Sequence, residues 1–289
     1  MTLSKVVNGE LSDRVGQDAI LSYKGCWRFL DTGSGDAYTN MAIDEALALN
    51  IRPGERPILR LYAWHPYAIS LGYNQKVEDL DLQRCQKDGI DVVRRPTGGR
   101  AVLHAQEVTY SVIIPKDHPC FSRDILSTYN FISRALTTGL KILGVPASLE
   151  KQRSGNSDSQ LSSVPCFSST ARYEIVFQGK KLVGSAQRRF EHSILQHGSI
   201  LTGEYHLKLA NYLSLKGNST EEKIKQQLAT KTVSLSQILD RPIAYKEVVE
   251  AIKKGFEKQH QITFCEDQLT SQEVKGANLL LTKYRTIRR

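Results

Sequence analysis

Short runs of β-branched and aromatic residues, most of them cut off by glycine or proline, fill the stretch from Trp27 to Leu201 and then cease. Residues 27–31, 58–63, 67–71, 90–95, 108–114, 173–177, 181–188 and 193–201 each read as a strand. A chain punctuated this often cannot form a helix bundle, because each run must pair with another to satisfy its backbone. Gly33-Ser34-Gly35 reads as a turn, followed by a helix with Asn40 as N-cap and Ile43, Ala46 and Leu47 on one face. His65-Pro66 splits two strands. Residues 80–87 and 124–143 read as helices, and 178–180 as the turn of a hairpin. From His206 onward the pattern turns helical, ending in a Thr270-x-x-Glu273 capping box. Strands first and helices late point to an α+β fold, a mixed β-sheet flanked by helices. The expected organisation is a polar tail over 1–25 and one domain over 26–289, with 241–289 as a helical closing segment.

The balance of 40% hydrophobic and 24% charged residues in a chain of 289 permits a sizeable core. No run of about 18 apolar residues occurs, so no membrane span or membrane partner is expected. The first 18 residues lack the apolar stretch of a signal peptide. Five scattered cysteines, none in a C-x-x-C pair, argue against a disulfide framework and against a zinc site. A reduced, cytoplasmic protein is the expectation. The formal charge of +9 is one-sided: residues 151–289 hold 22 basic and 13 acidic residues, while the first 150 are neutral. Such a field favours acidic partners. Its bases interleave with acids, as in Glu250-Ala251-Ile252-Lys253-Lys254, and seldom alternate with aromatics, so nucleic acid is not the expected partner.

Three segments are candidates for chemistry. In Arg94-Arg95-Pro96-Thr97-Gly98-Gly99-Arg100-Ala101-Val102-Leu103-His104, a glycine pair lets backbone approach a ligand and the arginines supply donors. Alone, it reads as readily as a glycine turn with surface arginines. In Gly179-Lys180-Lys181-Leu182-Val183-Gly184-Ser185-Ala186-Gln187, period-two alternation puts Lys181, Val183, Ser185 and Gln187 on one face. Leu182, Gly184 and Ala186 take the other, where small residues leave room for a chain to pass. An edge strand guarded by lysine is the competing reading. Cys166 lies within the serine-rich segment 152–170, expected to be a loop. A lone cysteine is more often a small buried hydrophobe, unless a cation such as Lys181 lowers its pKa. His197, in Leu195-Gln196-His197-Gly198-Ser199, reads by default as a satisfied core histidine.

Together these segments resemble the biotin/lipoate protein ligase and octanoyltransferase superfamily. The resemblance rests on residues 94–104, 179–186 and His197-Gly198. It also rests on Asn40-Met41-Ala42-Ile43-Asp44-Glu45-Ala46-Leu47 and Ser70-Leu71-Gly72-Tyr73-Asn74-Gln75, and it spans about residues 26–289. Within the superfamily, Pro165-Cys166-Phe167 followed by Tyr173-Glu174 and Lys181 is similar to the cysteine-dependent octanoyltransferases. The ATP-dependent ligases carry Arg-x-Asn-Asp before the hairpin, which Arg153-Ser154-Gly155-Asn156-Ser157-Asp158 only echoes, and Arg100 stands where the signature has a third glycine.

The resemblance implies that Cys166 takes octanoyl from acyl carrier protein as a thioester and passes it to a lysine of a lipoyl domain, such as the glycine-cleavage H protein. It implies that Lys181 favours the thiolate and steadies the oxyanion. Gly98, Gly99, Gly184 and Ala186 would line the acyl tunnel, with Arg95 and Thr97 at its polar end. Arg100, His104, Ser185 and His197 complete the implied substrate site. No metal or dissociable cofactor is implied. An ATP-dependent lipoate ligase, or an amidotransferase between lipoyl domains, is the alternative.

Overall fold

The structure, a computed structural model, describes residues 25–121, 124–151, 173–215 and 220–286. The expected polar tail and the serine-rich segment with Cys166 lie outside the described residues. An eight-stranded mixed sheet runs in the order β11-β1-β2-β6-β10-β9-β8-β7. Its strands are β1 (Cys26–Gly35), β2 (Ile58–Trp64), β6 (Glu107–Pro115), β7 (Ser148–Lys151), β8 (Tyr173–Phe177), β9 (Lys180–Arg189), β10 (Ser193–Leu201) and β11 (Thr263–Glu266). A three-stranded sheet, β3 (Ala68–Leu71) between β4 (Asp91–Arg94) and β5 (Val102–His104), packs beside it. Strand β1 pairs in parallel with both β2 and β11, and the other pairings of the large sheet are antiparallel. A mixed sheet with flanking helices is what the sequence pattern implied.

Alternation sorts each strand between two faces. Leu59 and Leu61 of β2, Val108, Tyr110 and Val112 of β6, and Ile194 and Ile200 of β10 join a core under two helices, α3 (Ile125–Ile142) and α6 (Tyr245–His260). Ile58, Tyr62 and Trp64 of β2, with Leu195 of β10, turn to the opposite face. There α1 (Ala37–Asn50) and α7 (Ser271–Arg285) cover them. The small sheet builds a third core with Cys85 of α2 (Leu82–Lys87), a 3₁₀ stretch at Tyr205–Tyr212, and Ile224 and Leu228 of α4 (Glu221–Lys231). A short α5 (Leu235–Leu239) precedes α6.

Several local expectations are corrected. Gly33-Ser34-Gly35 is not a turn but the end of β1, which continues past a register shift between Asp31 and Gly33. The first helix starts earlier, capped by Asp36, whose carboxylate accepts from Thr39 N. Asn40 is therefore interior, and its amide donates to the carbonyls of Gly35 and Ala63. The closing segment is not all helix, because β11 interrupts it and extends the large sheet. That strand also overturns the expectation of no disulfide. Pairing β1 with β11 sets Cys26 beside Cys265, with Cα atoms 5.9 Å apart, and the two are joined. Counting cysteines could not show this, since the partners are 239 residues apart and meet only through the sheet. The capping box at Thr270 forms as expected, and its Glu273 also binds Arg28 of β1.

His206 ties the segment after β10 to the structure. It is buried, sharing hydrogen bonds with Gly203 O and Thr232 Oγ1, and burial pushes its imidazole down to about 4 from 6.5. As pH falls below 6.5 the unfolded chain takes up this proton first, so stability drops from there and levels off below about 4. By pH 4 the loss from this group is roughly 3 kcal/mol. Urea midpoints between pH 7 and pH 4 are expected to fall less steeply for His206→Gln than for wild type. Parallel curves would assign the acid sensitivity to other groups.

Candidate active site

A cavity of about 70 Å³ with a mostly apolar wall lies between the large sheet and the loops of the small one. Strand β9 reaches it by an irregularity that the sequence does not announce. Ile175 pairs with Val183, but Val176 pairs with Lys181, so one step along β8 matches two along β9. A bulge of this kind resets the alternation. Leu182 and Val183 both enter the core under α3 and α6, while Lys181, Gly184 and Ala186 line the cavity. The expectation that Lys181 and Val183 share a face, opposite Gly184 and Ala186, is corrected by this one extra residue. Ser185 also reaches the wall, with its hydroxyl accepting from Tyr110 on the core side.

Lys181 is 6% exposed, and its ammonium lies 2.6 Å from Glu174 Oε1 on β8. Its carbonyl accepts from Val233 N, which fixes this end of β9 from outside the sheet. Burying a lysine against a carboxylate is tolerable because the two charges offset each other's desolvation. Gly198 on β10 is required by close packing: a Cβ there would strike the carbonyl of Gly184 and the ring of Tyr110.

The Arg-Arg-Pro-Thr-Gly-Gly segment folds over the other side. Arg95 directs its guanidinium to Gly98 O, Arg100 O, and both Ser70 O and Ser70 Oγ. It lines the cavity, yet these bonds brace the loop that carries it. Gly99 has a positive φ of 96°, favourable only for glycine, and lines the cavity. Its carbonyl lies so close to Gly72 that any side chain at Gly72 would collide with it. Among the other expected site residues, His104 and His197 line the cavity. Thr97 is buried behind it, Gly98 is exposed, and Arg100 is half-buried; none of these three forms the wall. Cys166 lies outside the described residues.

Residues not singled out in the sequence connect these side chains. Asp44 on α1 is fully buried and accepts from Arg60 Nη1 at 2.6 Å, Tyr62 Oη at 2.9 Å and His197 Nδ1 at 2.9 Å. Burial opposes its ionisation, but the Arg60 guanidinium prevails and holds the carboxyl below its usual range. Burial likewise pushes the His197 imidazole down, against the pull of Asp44, so it is neutral. On the far side Glu107 accepts from His104 Nδ1 at 2.9 Å, from Thr109 Oγ1 at 2.5 Å, and from Ser199 Oγ. Trp64 donates to Thr109 and stacks on the His104 ring at 4.0 Å. The signal for Asp44 lay in the segment 40–47, noticed only for its family resemblance. Glu107 had none beyond its place after His104.

Comparison with known proteins bears on what this cavity serves. Residues 36–257 match the family model of the lipoyl protein ligase A/B catalytic domain. The chain belongs to this family. It is 38% identical over 268 residues to an octanoyltransferase LipM of Staphylococcus aureus, covering 90% of this chain and 96% of that one. It is 39% identical over 260 residues to an octanoyltransferase LipM of Moorella thermoacetica, covering 89% and 95%. Among solved structures, it superposes with a TM-score of 0.73 and 27% identity on a bipartite lipoate protein ligase of Thermoplasma acidophilum studied with its E2 lipoyl domain. That match covers 89% of this chain and 92% of the other. A protein from the same organism with bound lipoic acid gives 0.70 and 26%, covering 89% and 95%. In this family member, Lys181 and the glycine-lined wall fall within the matched catalytic domain.

Proposed function

We propose that this chain is an octanoyltransferase of lipoyl-cofactor assembly, moving octanoyl from acyl carrier protein through a thioester on Cys166 to a lysine of a lipoyl domain such as the glycine-cleavage H protein. The observation that carries this reading is near-full-length similarity to enzymes named octanoyltransferase, at 38% and 39% identity. The cavity suits it: a mostly apolar wall for an acyl chain, ending at the buried ammonium of Lys181. Lys181 stabilises charge as it develops on the thioester oxygen, and its field favours the thiolate of a nearby cysteine. Covalent transfer divides one reaction between two bulky proteins into two easier steps. The excess of basic residues over 151–289 suits acidic carrier and acceptor domains.

Intact-mass measurement after incubation with octanoyl carrier protein, without ATP, tests the reading. The expected result is a single octanoyl adduct that hydroxylamine removes and that disappears when a lipoyl domain is added. Absence of the adduct, together with lipoylation that requires free lipoate and ATP, would make the protein a ligase. An adduct formed only from an octanoylated lipoyl domain would make it an amidotransferase.

A further inference from the structure

Two chains of identical chemical logic hold the Arg95–Gly99 loop. In the first, Asp44 can only accept, so His197 Nδ1 carries the proton. With the imidazole neutral, Nε2 is an acceptor, and Thr97 Oγ1 donates to it at 2.7 Å. In the second, Glu107 can only accept, so His104 Nδ1 carries the proton. Ser70 Oγ accepts from Arg95 and shares a 2.7 Å hydrogen bond with His104 Nε2. Each chain runs from a buried carboxylate through an imidazole in the cavity wall to a hydroxyl in or against the loop. Each carboxylate sits on a rigid element, Asp44 on α1 and Glu107 on β6.

We propose that Asp44 and Glu107 are positioning residues for the acyl site, fixing the tautomers of His197 and His104 so that the loop is clamped at Thr97 and, through Ser70, at Arg95. The proposal deepens the transferase reading, since the clamped loop presents Gly99 and Arg95 to the acyl chain.

The test uses near-isosteric changes. Thr97→Val removes the donor, Thr97→Ser keeps it, and Glu107→Gln lets the His104 tautomer invert. The clamp predicts faster amide hydrogen exchange across residues 95–100 in Thr97→Val and Glu107→Gln, with Thr97→Ser like wild type. This readout needs no substrate, so it stands even if wild type proves to lack octanoyl transfer. On the acyl donor that wild type uses, kcat/KM is expected to fall about tenfold or more in the first two variants and to stay within about threefold in Thr97→Ser. Alkylation of Cys166 should be unchanged in all three. His197→Asn added to Thr97→Val should cost little more, because both act in one chain, whereas Glu107→Gln added to Thr97→Val should multiply. Equal behaviour of Thr97→Val and Thr97→Ser, or unaltered exchange in both Thr97→Val and Glu107→Gln, would overturn the clamp. So would a loss of kcat/KM that only tracks a fall in Tm.

Discussion

Cys166→Ala is expected to abolish the hydroxylamine-sensitive octanoyl adduct and to lower acyl transfer by about 10⁴-fold or more. The other four cysteines make this result unambiguous. Cys26 and Cys265 are joined to each other. Burial pushes the Cys85 thiol up to about 11 and the Cys120 thiol up to about 12. At neutral pH those two hold a thiolate fraction of about 10⁻⁴ or less, and the thiolate is the attacking species. A thiol that iodoacetamide labels quickly at pH 7 is therefore expected to map to Cys166 and to vanish in Cys166→Ala. Octanoyl transfer at near wild-type rate by Cys166→Ala, without ATP, would exclude the covalent route.

The second large effect belongs to Lys181. Lys181→Met removes the charge that faces the cavity and leaves the Glu174 carboxylate buried without the ammonium now at 2.6 Å. Both side chains are under 10% exposed, so breaking the pair costs about 3 kcal/mol or more of stability. Activity is expected to fall about 10²–10³-fold, the usual consequence of losing one donor to a developing oxyanion. The two consequences separate in the double variant Lys181→Met/Glu174→Gln, which leaves no lone buried charge. It should regain most of the stability and none of the activity. The alkylation profile of Cys166 should move to higher pH in both variants, since the proposed mechanism sets Lys181 beside that thiol. An unmoved profile with intact transfer would reduce Lys181 to a structural partner of Glu174. Lys180 is exposed, on the other side of the strand, and Lys180→Ala should be near neutral.

Much of the fold was legible because it depends on local pattern. Strands β1 to β4, β6 and β8 to β10 alternate or run apolar for most of their length, whereas β5 and β7, of three and four residues, carry too short a pattern to be read. The box at Thr270 announces a helix start by hydrogen bonds made within four residues. The family was legible too, because the glycine pair, Lys181 and His197-Gly198 recur in a fixed order. Three features that shape the site and its frame were not. Strand β11 is short, and its pairing with β1 depends on a partner more than two hundred residues away, so the Cys26–Cys265 link was invisible. The bulge in β9 arises from pairing with β8, and it alone carries Lys181 to the face that holds Gly184 and Ala186. Period-two reading assigned the opposite face because alternation assumes an unbroken ladder. The carboxylates Asp44 and Glu107 looked like ordinary charges in apolar segments. What made them anchors is long-range: Asp44 meets His197 only where α1 crosses β10, and Glu107 meets Ser199 only across the β6–β10 pairing. Sequence determined which residues were available to build the site. Tertiary structure decided which of them meet, because hydrogen bonds act over about 3 Å and only folding brings such distant residues that close.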